Sequence, residues 1–189
     1  MTIYPALALL EFDSIAVGIE AADAMVKRAA VAHVHVGTVQ PGKLLVLVAG
    51  EVAEVEEALM AGREVGAPAL VGEVYLPGVH EDVVAAVEQG ARWPPVQEAL
   101  GIVETRTVAA AILAADAGRK GAEVQLLEVR LADGLGGKGL VFFHGAVADV
   151  EAAVTHGTDA IPPAELLYTT VIPQLHDEIA DKINQRTAW

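Results

Sequence analysis

Ala6-Leu7-Ala8-Leu9-Leu10-Glu11 and Ala21-Ala22-Asp23-Ala24-Met25-Val26-Lys27 return 93 positions later as Ala99-Leu100-Gly101-Ile102-Val103-Glu104 and Ala114-Ala115-Asp116-Ala117-Gly118-Arg119-Lys120. Across residues 6–27 and 99–120 the offset is constant, and ten of the 22 positions are identical. The chain is a tandem duplication. An enzyme with one site has little reason to keep both copies of every structural segment, whereas a part that makes pseudo-equivalent contacts around a ring has good reason. The repeat favours assembly over catalysis.

Each copy reads outward from these strings in the same order. Ala6–Phe12 is an apolar run fit for a buried strand, and Ser14 stands as helix N-cap before Ile15, Ile19, Ala22 and Val26 at helical spacing. Val31–Val39 and Lys43–Ala49 flank Gln40-Pro41-Gly42 as a hairpin. Val52, Val55, Leu59 and Val65 mark a second helix, Leu70–Leu76 a fourth strand, and His80–Val87 a short helix after the Pro77-Gly78 break. The second copy places strands at Ala99–Thr105, Val124–Ala132, Lys138–Gly145 and Glu165–Ile172, with helices at Thr107–Lys120, at Val147–His156 and from His176. The order β-α-β-β-α-β predicts an α+β chain of two ferredoxin-like units, each a four-stranded antiparallel sheet backed by helices. The expected units are residues 4–90 and 99–189, joined by a linker at 91–98 whose Pro94-Pro95 pair excludes helix and central strand. The offset grows within the copy. Gly42-Lys43 matches Gly137-Lys138 at 95, so the second hairpin loop is two residues longer, and Pro77 matches Pro173 at 96.

Composition points the same way. Hydrophobic residues make up 53% of the 189 and the mean hydropathy is +0.44, yet runs such as Leu44–Ala49 fall far short of the ~20 residues that span a bilayer. Apolar excess without a membrane segment is what surface destined for neighbouring subunits looks like, so an obligate oligomer is expected. A formal charge of −14 repels phosphate backbones, and nucleic-acid binding is not expected. With no cysteine, the chain supplies no disulfide, thiolate metal site or cysteine nucleophile. Met1-Thr2-Ile3-Tyr4-Pro5 has neither the basic nor the apolar region of a signal peptide, which makes the cytoplasm the expected location.

Glu20-Ala21-Ala22-Asp23-Ala24-Met25-Val26-Lys27, Pro41-Gly42-Lys43, Gly50-Glu51-Val52-Ala53-Glu54-Val55 and the two Pro-x-x-His strings together resemble the bacterial microcompartment shell-protein (BMC) domain, twice over nearly the whole chain. Thr38–Lys43, Val103-Glu104-Thr105 and Val171–His176 are similar in layout to the tandem-domain trimeric class, in particular its single-layer propanediol-utilisation type. The resemblance implies a homotrimer of hexagonal outline, a pseudohexamer, that tiles with hexamers and pentamers of other shell proteins around metabolic enzymes. It also implies a central pore for small metabolites, and no cofactor or catalytic residue. Its pore would be lined by Gln40, Pro41 and Gly42 of one hairpin and by Asp133, Gly134, Leu135, Gly136 and Gly137 of the longer one. Lys27 and Lys120 would sit at the shell edge where neighbouring hexagons pack. An arginine that the family carries between two prolines is missing from both Pro77-Gly78-Val79-His80 and Pro173-Gln174-Leu175-His176, so the protein is expected to tile best in a mixed shell. Some relatives hold an iron–sulfur cluster on one cysteine per subunit. That cysteine falls where this chain has Gln40, an amide poorly suited to ligate iron, so no redox role is expected.

Each candidate has a plainer alternative. Lys27 and Lys120 could simply complement the C-terminal dipole of a helix. Asp133 could line the pore mouth or cap its own turn. Glu11, Glu104, Asp23 and Asp116 recur in both copies, as structural hydrogen-bonding groups would, without the base, acid and pocket of a catalytic constellation. Gly134-Leu135-Gly136-Gly137-Lys138-Gly139 fits G-x-G-x-x-G, but the strand Leu140-Val141-Phe142-Phe143 follows where a dinucleotide site needs a helix. His33 and His35 project from one strand face as a metal pair would, with Leu126 and Glu128 expected at the same places in the second copy, and no third ligand lies near in sequence. A small ligand-binding or enzymatic protein on a duplicated ferredoxin-like fold is the rival reading.

Overall fold

The structure, a computed structural model, describes residues 4–90, 93 and 98–184. The first repeat runs β1 (Ala6–Phe12), α1 (Ile15–Arg28), β2 (His33–Val39), β3 (Lys43–Gly50), α2 (Val52–Gly66), a 3-10 turn at Ala67–Ala69, β4 (Leu70–Leu76) and α3 (Glu81–Gln89). The second runs β5 (Ala99–Thr105), α4 (Val108–Gly121), β6 (Gln125–Leu131), β7 (Gly139–Gly145), α5 (Val147–Asp159), β8 (Leu166–Ile172) and α6 (Asp177–Asn184). The sheets are ordered β2-β3-β1-β4 and β6-β7-β5-β8, every pairing antiparallel, as the β-α-β-β-α-β order predicts. Of the expected linker, residues 91–92 and 94–97, with Pro94 and Pro95, lie outside the described residues.

Local chemistry sets these elements. The Ser14 hydroxyl accepts a hydrogen bond from the Val17 amide at 3.4 Å, and Thr107 accepts one from Ala110 at 3.3 Å, so both repeats open their first helix with a side-chain cap. The first strand of each repeat is central in its sheet; β1 is buried on both faces, whereas Ile102 and Glu104 on one face of β5 are half-buried. Ala6, Ala8, Leu10 and Phe12 pack with Met25, Val46 and Leu59 beneath α1 and α2. On the other face, Leu7, Leu9, Leu45 and Leu47 join Val83 and Val84 of α3 in a cluster that continues into Val108, Ile112 and Val129 of the second repeat. The two repeats therefore share one core.

Polar contacts stitch that junction. One Glu11 carboxylate oxygen accepts from the Val108 amide at 2.9 Å and the other from Lys43 at 2.6 Å, the carboxylate being fully buried. Glu11 thus caps the helix of the other repeat, where the α4 dipole favours a negative charge. Asp116 on α4 accepts from the His80 amide at 2.8 Å, and Arg119 donates to Asp82 at 2.7 Å.

One expected correspondence is corrected. Pairing in β6 steps from Leu126↔Phe143 to Glu128↔Phe142, so Leu127 is the extra residue of a β-bulge that β2 lacks. His35 still corresponds to Glu128, but His33 corresponds to Gln125 rather than Leu126, because the bulge shifts the strand residues before it by one.

Candidate functional site

Two hairpin turns that are distant in sequence meet in space. Gly42, at φ 103°, closes the first turn by donating its amide to the Val39 carbonyl at 3.0 Å. The longer turn winds through positive φ at Ala132, Gly134, Gly136 and Gly137. Gly137 is buried against the first turn: a Cβ there would lie 3.1 Å from the Pro41 Cδ and 3.5 Å from the Gln40 carbonyl oxygen. With φ at +91° as well, a side chain at this position would be strained. Gln40, Pro41, Gly42, Asp133, Gly134 and Gly136 are exposed around this contact and Leu135 is half-buried. No hydrogen bond to the Asp133 carboxylate is formed among the described residues.

The four recurrent carboxylates are all ion-paired within their own repeat. Glu11 pairs with Lys43 and Glu104 with Lys138, while Asp23 pairs with Lys27 and Asp116 with Lys120 across one helical turn. These pairs organise strand ends and helices. Lys27 lies on an exposed stretch of helix, and Lys120 is more enclosed because its partner Asp116 also takes the His80 amide. His33 stacks on Tyr4 with ring centroids 5.9 Å apart and has Glu88 at 3.8 Å. Among the described residues, no three His, Cys, Asp or Glu come together as a metal would need.

Sequence reasoning missed the most telling feature, an asymmetry of exposure between equivalent positions. Ile112 on α4 is completely buried against the first repeat, yet its counterpart Ile19 on α1 is 56% exposed. Val83 on α3 is completely buried, whereas its counterpart Ile179 on α6 is 50% exposed. Val129 is buried where Val36 is exposed, and Tyr168, next to Glu104 in the sheet register, is exposed as well. The chain therefore shows one half of its own internal junction on α1 and β2 and the other half on β8 and α6. Nothing local signals this, since Ile19 and Ile112 are the same residue in the same motif.

Also missed was the cluster around Trp93. Its ring meets Phe142 edge-on at 5.2 Å, its indole N–H donates to Glu128 at 2.9 Å, and Arg130 lies over Phe142 at 5.1 Å while pairing with Glu128.

Comparison with known proteins gives concordant results. The model of the BMC domain matches residues 6–79 and again 99–175. The bacterial microcompartment shell protein PduT of Citrobacter freundii is 39% identical over 175 residues, covering 92% of this chain and 95% of its own length. A solved microcompartment protein from Desulfitobacterium hafniense DCB superposes with a TM-score of 0.82 at 40% identity, over 93% of this chain and 98% of that one. A fused permuted hexameric shell protein of the RMM microcompartment shares the fold, with a TM-score of 0.60 at 22% identity over 82% and 83% of the two chains.

Proposed function

Because the chain belongs to the BMC-domain family and carries the domain twice, we propose that three copies close into a six-domain ring, a structural tile of a bacterial microcompartment shell with a metabolite pore on its axis. The shell role follows from the similarity to PduT and has no need of a catalytic site. The observation that carries the trimer is the exposed counterpart of a buried junction. The contact between repeats is head-to-tail, and the chain ends each side with the complementary half unmatched. A heterologous contact of this kind repeats from chain to chain and makes a ring where its rotation closes. By the same equivalence, Glu104 stands ready to cap α1 of the next chain at Ile15, and Asp23 to accept the amide of the neighbour's His176.

The pore reading is supported by the contact of Gly137 with Gln40 and Pro41, since both hairpin turns lie together at one end of the chain. Three such pairs around an axis alternate short and long turns. Selectivity would then come from opening width and the polarity of Gln40, with Asp133 available at the mouth. Native mass spectrometry of the wild type should show three chains over micromolar concentrations; another dominant species overturns the reading. In that trimer Gln40→Cys brings three thiols around one axis, where they should crosslink between subunits and retain iron after anaerobic reconstitution. An intact trimer whose thiols do neither removes Gln40 from the pore.

Lys27 and Lys120 are assigned to lateral packing of tiles against other shell proteins. The exposed Asp23–Lys27 pair contributes under about 1 kcal/mol, so Lys27 can be redirected to a neighbour at little cost. Changing both to Ala should leave the three-chain mass unchanged and reduce incorporation into mixed shells. Loss of the trimer, or unaltered incorporation, refutes the edge role.

A further inference from the structure

A recess of about 370 Å³ opens on the face of the first sheet that α3 partly covers, walled by Leu9, Leu45 and Leu47, by His33 and His35, and by Val87 and Glu88 of α3. Leu131 of the second repeat closes one side. The equivalent place on the second sheet is filled by Trp93. Strand register equates Leu47 with Phe142, which meets the Trp93 ring, and His35 with Glu128, which takes its N–H.

Trp93 is not donated by the repeat it packs on. It follows α3, the last helix of the first repeat, and lies on the sheet of the second, so the first repeat lends its tryptophan forward to the next. The offset of 96 that relates Pro77 to Pro173 and His80 to His176 also relates Trp93 to Trp189, and these are the two tryptophans of the chain. The repeat that precedes the first one in a ring is the second repeat of a neighbouring copy.

We propose that the recess on the first sheet receives the indole of Trp189 from a neighbouring copy of the chain. The proposal rests on the ring reading and deepens it by naming an anchor at each joint between chains. The matching place on the second sheet, to which α6 belongs, already holds Trp93. Five residues beyond α6 reach at most about 17 Å, enough to cross from a helix end to an adjoining sheet. The chemistry of the recess also suits an indole. In the second repeat the acceptor is a carboxylate held by Arg130, but Gly37 stands where Arg130 would be, so a carboxylate at position 35 would lack its counter-ion. His35 supplies a ring nitrogen instead, which can accept an indole N–H, and the Glu88 carboxylate lies on the same recess beside His33.

Two measurements on the full chain test this. The chain lacks cysteine, so His35→Cys and Trp189→Cys chains can be mixed, allowed to exchange subunits and treated with a short bismaleimide. A covalent two-chain product is expected from the mixture and from neither variant alone. Separately, Trp93→Phe leaves Trp189 as the sole indole, whose emission in the trimer should lie to the blue of its position in the urea-unfolded chain. If native mass shows a trimer but the mixture gives no two-chain product, or the lone indole emits as in the unfolded chain, the anchor is refuted while the ring stands. If no trimer forms, the ring reading falls first and the anchor with it.

Discussion

Ile19→Glu should convert the three-chain species into single folded chains. Ile19 projects from α1 at the position where Ile112 of α4 is wholly enclosed by the first repeat, so in a ring its side chain is enclosed by a neighbouring chain. A carboxylate placed there has no partner, and leaving an ion unpaired out of water costs several kcal/mol even after relaxation. At about 1.4 kcal/mol per factor of ten, each joint weakens by two or more orders of magnitude, and a ring has three such joints. The same change at Ile112 strikes inside the chain: Ile112→Ala should lower the unfolding free energy by about 2–5 kcal/mol, and Ile112→Glu should abolish folding. Native mass and circular dichroism separate the two cases. A stable three-chain species of Ile19→Glu with native circular dichroism would show that α1 does not form the subunit joint.

Glu11→Ala should lower chain stability by about 3–5 kcal/mol in urea unfolding. Glu11 is fully buried and serves two donors at once, the Lys43 ammonium and the Val108 amide. Its removal leaves a largely enclosed lysine without its counter-ion and uncaps α4, so two repeats are loosened together. Glu11→Gln keeps an acceptor for Val108 while losing the charge, and should recover part of the loss. Glu104→Ala supplies the contrast, because Glu104 is half-buried and its Lys138 is exposed. Its cost should appear chiefly as easier dissociation of chains. Equal losses of single-chain stability from Glu11→Ala and Glu104→Ala would contradict the assignment of Glu104 to the joint between subunits.

What was legible in the sequence was what local chemistry fixes. The strand bounds of Ala6–Phe12, Leu70–Leu76 and Ala99–Thr105 and the cap Ser14 follow from short apolar runs and a hydroxyl before a helical period. The β6 bulge was hidden because Leu126-Leu127 reads as uninterrupted strand, and only pairing with β7 shows which leucine is extra. Glu11 was recognisable as a recurrent structural carboxylate, but its bond to Val108 spans 97 positions and has no local signature. The difference between Ile19 and Ile112 could not be read at all, since identical residues differ only in what the rest of the chain places against them. For Trp93 a signal existed: the two tryptophans are spaced as the two Pro-x-x-His strings are.

The shared core between repeats also alters how such a ring responds to dilution. In a six-domain ring of three chains, alternate joints are covalently tethered, so each junction like that of Glu11 with Val108 forms at a high effective concentration fixed by the linker rather than by the amount of protein present. Assembly then depends on the third power of chain concentration where six separate domains would require the sixth. Tethering also frees alternate joints to diverge. Gly72 beside Glu11 and Tyr168 beside Glu104 occupy the same register, and one packs within a chain while the other would face a neighbour. A ring built this way keeps sixfold outline with threefold chemistry.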